Sequence, residues 1–189
     1  MVSRMKKGLS LVELLTAMAI LSFVGILVAS VYFTHFKIFS YQSSSIDAAT
    51  QNKLALDEII NQVRESQGVA VSCCSPVETT SASVLVLQLW PLDATSAPFD
   101  NGTNYDYIIY KRDTTDNTKF IKKIVPSAGS TRSASNKIIA INISNLSFNY
   151  DAAAPSTAVV TVTIDTAVKS TFGKTYTVSQ SEKAMLRNK

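Results

Sequence analysis

The sequence has few of the residue types on which most catalytic and metal sites depend. It contains one histidine, His35, and two cysteines among its 189 residues. None of the common catalytic or phosphate-binding patterns occurs, and the six glycines form no phosphate-binding loop. Histidine is the commonest general base near neutral pH, but His35 directly follows a long apolar run, where an interfacial side chain is the ordinary case. We therefore expect neither an enzyme nor a cofactor-binding protein.

The two cysteines, Cys73 and Cys74, are adjacent, so they provide neither the spacing of a metal site nor that of a disulfide framework. A vicinal disulfide between them is the alternative in an oxidising compartment, but the geometry of such a bond is strained. We therefore expect two free or separately packed thiols.

Charged residues are also scarce, at 17% of the chain, against about a quarter in an average globular protein. Hydrophobic residues reach 46%, which excludes a chain that is disordered throughout. The formal net charge is +4, but Arg4, Lys6 and Lys7 lie close to the N-terminus, and without them acidic and basic residues nearly balance. A nucleic-acid-binding protein usually has a basic face on its folded part. We therefore expect no direct nucleic-acid partner.

Residues 14–33 form an uncharged run, LLTAMAILSFVGILVASVYF, in which only Thr16, Ser22 and Ser30 are polar. As a helix with a rise of about 1.5 Å per residue, this run is about 30 Å long and matches the bilayer core. Three basic residues precede the run and only one, Lys37, closely follows it. This excess of positive charge on the N-terminal side predicts a cytoplasmic N-terminus and an exported remainder. The run is longer than the apolar region of a cleaved secretory signal.

One carboxylate, Glu13, lies at the start of this apolar region. A charge inside a membrane segment costs about 2.5–3.5 kcal/mol and therefore marks a partnered or functional position. The one well-placed small-residue cleavage site is Gly8, directly after the basic cluster. Cleavage there would keep the helix, make Leu9 the new terminus and place Glu13 at the fifth position, where the amine and the carboxylate of neighbouring helices can neutralise each other.

The segment KKGLSLVELLTAMAILSFVGILVASVY resembles the class III signal of type IV pilins and pseudopilins. In that family a short basic leader ends in glycine before an apolar residue, and glutamate occupies mature position five. The resemblance implies that a prepilin peptidase removes the leader after Gly8, that Leu9 becomes the N-methylated terminus, and that Glu13 meets the terminal amine of a neighbouring subunit. Leu9 departs from the commonest choice, phenylalanine, and Ser30 stands where many major pilins have proline. A plain uncleaved signal anchor is the alternative.

After residue 36 the sequence stays compatible with a helix, and Gly68 is a plausible end. Apolar residues recur at steps of three or four residues or their multiples, which predicts one stripe that packs on a sheet. Its members are Ile46, Ala49, Leu56, Ile60 and Val63. We therefore expect one long helix over residues 9–67.

Beyond residue 68 the composition changes to Ser, Thr, Asn and Val. Short runs predict strands at residues 84–90, 105–111, 119–125, 137–150, 158–165, 174–179 and 184–187. Val160, Val162 and Ile164 share one face, which is typical of an antiparallel sheet with one side on a core. The run 137–150 changes parity, which predicts a bulge or turn at Ser144 and Asn145. Residues 113–117 predict a hairpin loop.

The predicted fold is α+β and pilin-like: a long N-terminal α-helix, membrane-spanning in its first half, packs by its second half on an antiparallel β-sheet. The predicted divisions are a leader at 1–8, a transmembrane and assembly helix at 9–36, an amphipathic continuation at 37–68 and a β-rich globular domain at 69–189.

A polar cluster between two predicted strands has the oxygen ligands that Ca²⁺ favours. It consists of Asp100, Asn101, Gly102, Asn104 and Asp106. Because it lacks the bidentate glutamate of an EF-hand, Asp100, Asn104 and Asp106 are only a weak metal candidate, and a solvated turn is the expectation. The alternating tyrosines nearby fit either an adhesive face or ordinary sheet packing, and we expect packing. They are Tyr105, Tyr107 and Tyr110.

The stretches ISNLSFNYD, AVVTVTI and MLRNK are similar to C-terminal segments of minor pilins and of J- or W-type pseudopilins. Together with the leader, they imply a minor subunit of a type IV pilus or type II secretion pseudopilus, in a priming or tip complex. The implied partners are other subunits, the prepilin peptidase, an inner-membrane assembly platform and, before assembly, lipid. The implied location is the inner membrane, with a single span and an external C-terminal domain, and then the fibre. The competing interpretations are an uncleaved membrane-anchored sensor and a membrane-tethered surface enzyme.

Overall fold

The computed structural model describes residues 10–100 and 104–187, which form an α+β protein as predicted. The chain divides into two compact units, Met1–Gln42 and Ser43–Lys189. The predicted divisions at residues 8, 36 and 68 stay predictions, because they depend on processing and on a membrane.

One uninterrupted helix, α1, runs from Leu11 to Glu65. Its continuity confirms the predicted long helix, whose proposed first residue, Leu9, lies outside the described residues. Neither the serines at 43–45 nor Ser30 breaks the helix. The Ser30 hydroxyl donates a hydrogen bond to the carbonyl of Leu27 at 2.9 Å, one turn earlier.

The buried face of α1 in the second unit begins at Ala48 and repeats at the helical period; it consists of Ala48, Asn52, Ala55, Leu56, Ile59, Ile60 and Val63. The prediction that Ile46 belongs to this face is wrong, since its side chain is 63% exposed. Residues two positions apart point to different sides of a helix, so the burial of Ala48 turns Ile46 outward. Ala49 is only half-buried.

In the described residues after the helix there are ten strands. They are β1 (Gly68–Val69), β2 (Ser72–Cys73), β3 (Glu78–Thr79), β4 (Val84–Leu89), β5 (Asp106–Arg112), β6 (Phe120–Val125), β7 (Ser135–Ala140), β8 (Ile143–Tyr150), β9 (Val159–Lys169) and β10 (Thr175–Met185). All pairings are antiparallel. They build a five-stranded sheet in the order β1-β4-β5-β6-β7, a three-stranded sheet in the order β10-β9-β8, and the β2-β3 pair. The expectation of one sheet is therefore corrected to two principal sheets.

The change of sheet occurs within the predicted strand 137–150. Between β7 and β8, Asn142 has a φ of 60°, in the left-handed region. The register between β8 and β9 then shifts between Ile143 and Asn145, which confirms the predicted bulge at Ser144. The last predicted strand, 184–187, is not separate, because its first residues complete β10.

The main core lies between α1 and one face of each principal sheet. Its largest fully buried side chains include Ile59 of α1, Tyr110 and Phe120 of the five-stranded sheet, and Phe148 of the three-stranded sheet. On β9, Val160, Val162 and Ile164 are all buried, as their alternation predicts. The core thus joins the second half of α1 to both sheets.

A smaller core covers the other face of the five-stranded sheet. There Cys73 packs with Ala70, Val86 and Ile109. Cys73 and Cys74 form a disulfide, so the prediction of separate thiols is wrong. The chain turns directly after β2, with Cys74 in the left-handed region at a φ of 70°, and this turn brings the two sulfur atoms together.

A buried polar contact fixes α1 on the three-stranded sheet. The Asn52 side-chain amide donates hydrogen bonds to the carbonyls of Ile164, at 3.3 Å, and Val178, at 2.8 Å. Its side-chain oxygen accepts a hydrogen bond from the Thr166 hydroxyl. Asn52 and Thr166 are fully buried, and a buried polar group left without its partner costs about 1–3 kcal/mol.

Replacement of Asn52 by alanine is expected to lower the free energy of unfolding by about 2 kcal/mol, because the Thr166 hydroxyl loses its buried acceptor. Urea unfolding of the full chain in detergent, followed by circular dichroism, measures the change. Ile46→Ala is the matched control on the same helix; as an exposed position it should change stability by no more than about 0.5 kcal/mol. Equal effects of the two substitutions would contradict the assigned role of Asn52.

Candidate assembly helix

The first part of α1 is apolar on every face, and its side chains are exposed throughout residues 11–39. Exposed large hydrophobic side chains include Leu11, Val12, Leu14, Leu15, Met18, Ile20, Leu21, Phe23, Val24, Ile26, Leu27, Val28, Val31, Tyr32, Phe33, Phe36, Ile38 and Phe39. A helix that is hydrophobic all round is normally covered by protein or lipid. By length and composition α1 can cross a membrane, and the predicted span 14–33 lies within it.

The serine and threonine hydroxyl groups between residues 16 and 34 are bonded to the helix itself. Thr16 donates to the carbonyl of Glu13 at 3.0 Å, and Ser22 donates to that of Met18 at 2.8 Å. The Thr34 hydroxyl bonds the carbonyl of Ser30 at 2.9 Å, and Ser30 bonds its preceding turn in the same way. Since unsatisfied polar groups are costly away from water, these bonds make the helix surface compatible with an apolar surrounding.

The N-terminus of α1 is closed by a reciprocal capping box. The backbone N–H of Ser10 donates to Glu13 Oε2 at 3.0 Å, and the backbone N–H of Glu13 donates to Ser10 Oγ at 3.3 Å. This is the S-x-x-E arrangement that satisfies two otherwise unpaired donors at a helix start. The sequence SLVE contains this pattern and is the local signal that predicts the cap, in addition to the charge of Glu13.

The predicted processing residues lie outside the described part of the chain. These are the basic residues Arg4, Lys6 and Lys7 and the cleavage residues Gly8 and Leu9. Glu13 is described, exposed, and is the only Asp, Glu, Lys or Arg between Lys7 and Lys37. Its carboxylate therefore lies at one end of an otherwise uncharged helical surface.

The comparison with known proteins identifies this same segment. Residues 3–29 match the family model described as the prokaryotic N-terminal methylation motif. No curated protein and no solved structure matches the chain. The matched motif, together with the α+β fold, supports a type IV pilin-like protein. The motif implies processing by a prepilin peptidase and assembly with other pilin subunits, and the apolar helix fits a membrane-anchored protein.

The weak metal candidate is corrected at Asp106, which does not lie in a solvated turn. Its fully buried carboxylate accepts hydrogen bonds from Arg132 Nε at 2.8 Å, from the Ser130 hydroxyl at 2.8 Å, and from the backbone N–H and hydroxyl of Ser127. Burial by itself would raise the pKa of Asp106, but these hydrogen bonds outweigh it and hold the pKa below its ordinary value. Asp106 is a structural residue that anchors the segment after β6.

Asp100 and Asn104 border residues 101–103, which lie outside the described residues. Among residues 10–100 and 104–187, no group of three His, Cys, Asp or Glu side chains is arranged to hold a metal ion. Because Ser130 and Arg132 bond its carboxylate, Asp106 is already engaged and is a poor ligand for the weak candidate set.

The three tyrosines in and directly before β5 serve packing. Tyr110 is fully buried and its ring stacks on Phe120, with 5.8 Å between ring centroids. Tyr105 stacks on Trp90 at 5.1 Å, and Tyr107 packs against the smaller core. The expectation of ordinary sheet packing is therefore confirmed.

Proposed function

We propose that the chain is a minor pilin or pseudopilin subunit. A prepilin peptidase cleaves it between Gly8 and Leu9, and the mature subunit enters a type IV pilus or type II secretion pseudopilus through α1. It acts in a priming or tip complex. Before assembly it lies in the inner membrane with its N-terminus in the cytoplasm, and an inner-membrane platform transfers it to the fibre.

The observation that carries this proposal is the position of Glu13 as the one charged residue at the start of the exposed, mainly apolar first part of α1, within the matched motif. Cleavage after Gly8 would place an α-amino group at Leu9, four residues from Glu13. In a bundle of such helices, the carboxylate of one subunit and the amine of the next neutralise each other at the same depth, which removes the cost of an isolated charge in an apolar medium.

The finer assignment to a minor subunit rests on the C-terminal unit. Two principal sheets and an additional β2-β3 hairpin, with the Cys73–Cys74 disulfide at the end of β2, make it more irregular than a short major pilin. The similarity of its C-terminal segments to J- and W-type pseudopilins supports the same assignment.

We propose assembly rather than catalysis. The single histidine, His35, lies on α1, and the most buried carboxylate, Asp106, is bonded by Arg132 and by serine donors. Asp106 is therefore held as an ionised hydrogen-bond acceptor, and the sequence contains no second histidine that could act as a general base.

The first test is processing. The full chain is expressed with a prepilin peptidase, and its intact mass and N-terminal sequence are compared with those of Gly8→Ala. We expect a start at Leu9, with or without an added methyl group, and no such cleavage in Gly8→Ala. A start at Met1 or Val2 despite an active peptidase, or cleavage beyond Phe33, would defeat the assembly proposal.

One observation favours the alternative of an uncleaved anchor. The capping box gives Glu13 a role at the helix start that needs no neighbouring subunit. An anchor that carries a sensing or binding domain would use Glu13 in this way alone. Processing at Gly8 separates the two candidates, because an anchor retains its leader.

A further inference from the structure

The Cys73–Cys74 disulfide joins neighbouring residues, and this limits what it can do for stability. A disulfide stabilises a fold mainly by closing a loop in the unfolded chain, and the gain grows with the length of that loop. Adjacent cysteines enclose no intervening residue. The bond therefore adds little to the stability of the fold as a whole.

The spacing of adjacent residues also makes this disulfide easier to reduce than most. The Cα atoms of Cys73 and Cys74 lie 3.7 Å apart, as the peptide link between them requires. Disulfides usually span about 4.4–6.8 Å between Cα atoms, and a bond outside the usual geometry is more readily reduced. Ready reduction together with little stabilisation is typical of an exchangeable disulfide rather than of a structural one.

The two cysteines differ in their surroundings. Cys73 is only 8% exposed and packs in the smaller core. Cys74 is partly exposed and lines a surface cavity of about 230 Å³, together with Tyr107 and Ser127. The sulfur that a thiolate attacks depends on access. An incoming thiolate should therefore bond to Cys74 Sγ and displace the sulfur of Cys73.

The disulfide also holds the turn of the β2-β3 hairpin. The hairpin has only two paired positions, and an isolated two-stranded hairpin is marginal in water. The Glu78 side chain pairs with Lys111, and Thr80 N donates to Val71 O at 2.9 Å. These contacts hold β3 and the base of the hairpin. At the turn, Cys74 has a φ of 70°, which is uncommon for a residue other than glycine.

We propose that Cys73 and Cys74 form a reversible exchange site for an external dithiol, and that reduction frees the turn of the hairpin. One thiolate of the dithiol attacks Cys74 Sγ, the bond between the two cysteines breaks, and Cys73 leaves as a thiolate that takes up a proton. The second thiolate attacks the dithiol sulfur of this mixed disulfide, and Cys74 leaves in the same way. The protein disulfide gains two electrons and two protons, and the dithiol loses them as it becomes a disulfide.

Reduction removes the link that keeps Cys74 in the left-handed region. The next three residues, 75–77, are exposed, and the Val77 side chain is 74% exposed. The redox state outside the membrane thus sets whether this turn has one conformation or several. The site lies in the C-terminal unit and does not depend on cleavage at Gly8. Its failure would leave the proposed function untouched, and an uncleaved leader would leave the site untouched.

A matched pair of single variants tests which sulfur is attacked. Cys73→Ser leaves only the Cys74 thiol, and Cys74→Ser leaves only the Cys73 thiol. The full chain in detergent is treated with 5,5′-dithiobis(2-nitrobenzoic acid), and the release of the coloured thiolate is followed. The Cys74 thiol should react about tenfold faster, because access controls the rate of exchange. Equal rates, or a faster Cys73, would contradict the assigned order of attack.

Reduction of the folded wild type tests the exchange and its consequence. Dithiothreitol without denaturant, followed by alkylation, should add two groups by intact mass, with an unchanged circular dichroism spectrum. Oxidised glutathione should restore the disulfide in a sample that has not been alkylated. Hydrogen exchange measured by mass spectrometry should increase in the peptide that contains residues 72–79 and stay unchanged in β9.

The double variant Cys73→Ser/Cys74→Ser is the control, because it cannot form the bond. Its residues 72–79 should exchange as in the reduced wild type, with or without dithiothreitol. A wild-type disulfide that dithiothreitol reduces only after unfolding in urea would overturn the proposal. So would a reduced wild type whose hairpin exchanges hydrogen as slowly as the oxidised one.

Discussion

Replacement of Glu13 by glutamine is expected to reduce incorporation of the mature chain into fibres by about 30-fold or more, with membrane insertion and cleavage unchanged. Loss of one partner of a buried charge pair costs about 2–5 kcal/mol, and each 1.4 kcal/mol is a factor of about ten. Glutamine retains the capping box, since either Glu or Gln serves at that position. The substitution thus removes the charge and keeps the helix start.

The comparison of Glu13→Gln with Glu13→Ala separates the two roles of this side chain. Alanine removes both the charge and the cap, whereas glutamine removes only the charge. If the charge matters, the two variants assemble equally poorly; quantitative immunoblotting of sheared fibre fractions measures this. Wild-type incorporation of Glu13→Gln, with a defect only in Glu13→Ala, would reduce Glu13 to a capping residue and favour the uncleaved anchor.

Asp106→Asn is expected to lower the free energy of unfolding by about 3 kcal/mol at pH 7. The loss of one partner of a buried pair costs about 3–5 kcal/mol, and the low end applies because the Arg132 side chain keeps 22% exposure and regains water. Unfolding of the full chain in detergent can be followed by the single tryptophan, Trp90, whose carbonyl accepts a hydrogen bond from Arg132. Asp57→Asn, at an exposed carboxylate of α1, is the control and should behave like the wild type.

The same residue predicts a pH dependence. The pKa of Asp106 is lower in the folded chain than its ordinary value of 3.8. Its stabilisation is therefore complete above about pH 4 and is lost as the pH falls through the folded-state pKa. Asparagine does not titrate, so the free energy of unfolding of Asp106→Asn should not show this loss at low pH. The difference in free energy of unfolding between the wild type and Asp106→Asn should therefore shrink below about pH 4. A difference that stays constant from pH 7 to pH 2 would contradict the ionised state of Asp106.

The helix and most strands could be predicted because their signals are local. The apolar run from Leu14 gives the first half of α1, and alternation in AVVTVTI gives the buried face of β9. The prediction for Ile46 is wrong because the sequence shows the helical repeat of apolar residues but not which side of the helix faces the sheets. The buried side includes a polar residue, Asn52, which the apolar pattern does not indicate. The division into two sheets depends on pairing partners far apart in sequence, which no local pattern specifies.

The candidate site shows the same limit. Glu13 and Gly8 could be singled out because leader, glycine and glutamate lie within a few residues of one another. Asp106 was grouped with its polar sequence neighbours, whereas its true partners, Ser127, Ser130 and Arg132, follow 21 to 26 residues later and are brought to it by the β5-β6 pairing.

Four hydroxyl groups of α1 donate hydrogen bonds to carbonyls of their own helix: those of Thr16, Ser22, Ser30 and Thr34. These bonds affect how reversibly a fibre built from this chain assembles. A side chain that bonded lipid headgroups or water would have to exchange that partner at each departure from the bilayer and each return. These four carry their partners with them, so extraction and reinsertion exchange only dispersion contacts over most of the helix. In the proposed fibre, the one charged group of this helix segment that must change its partner is the Glu13 carboxylate, which pairs with the amine of a neighbouring subunit only when that subunit is present.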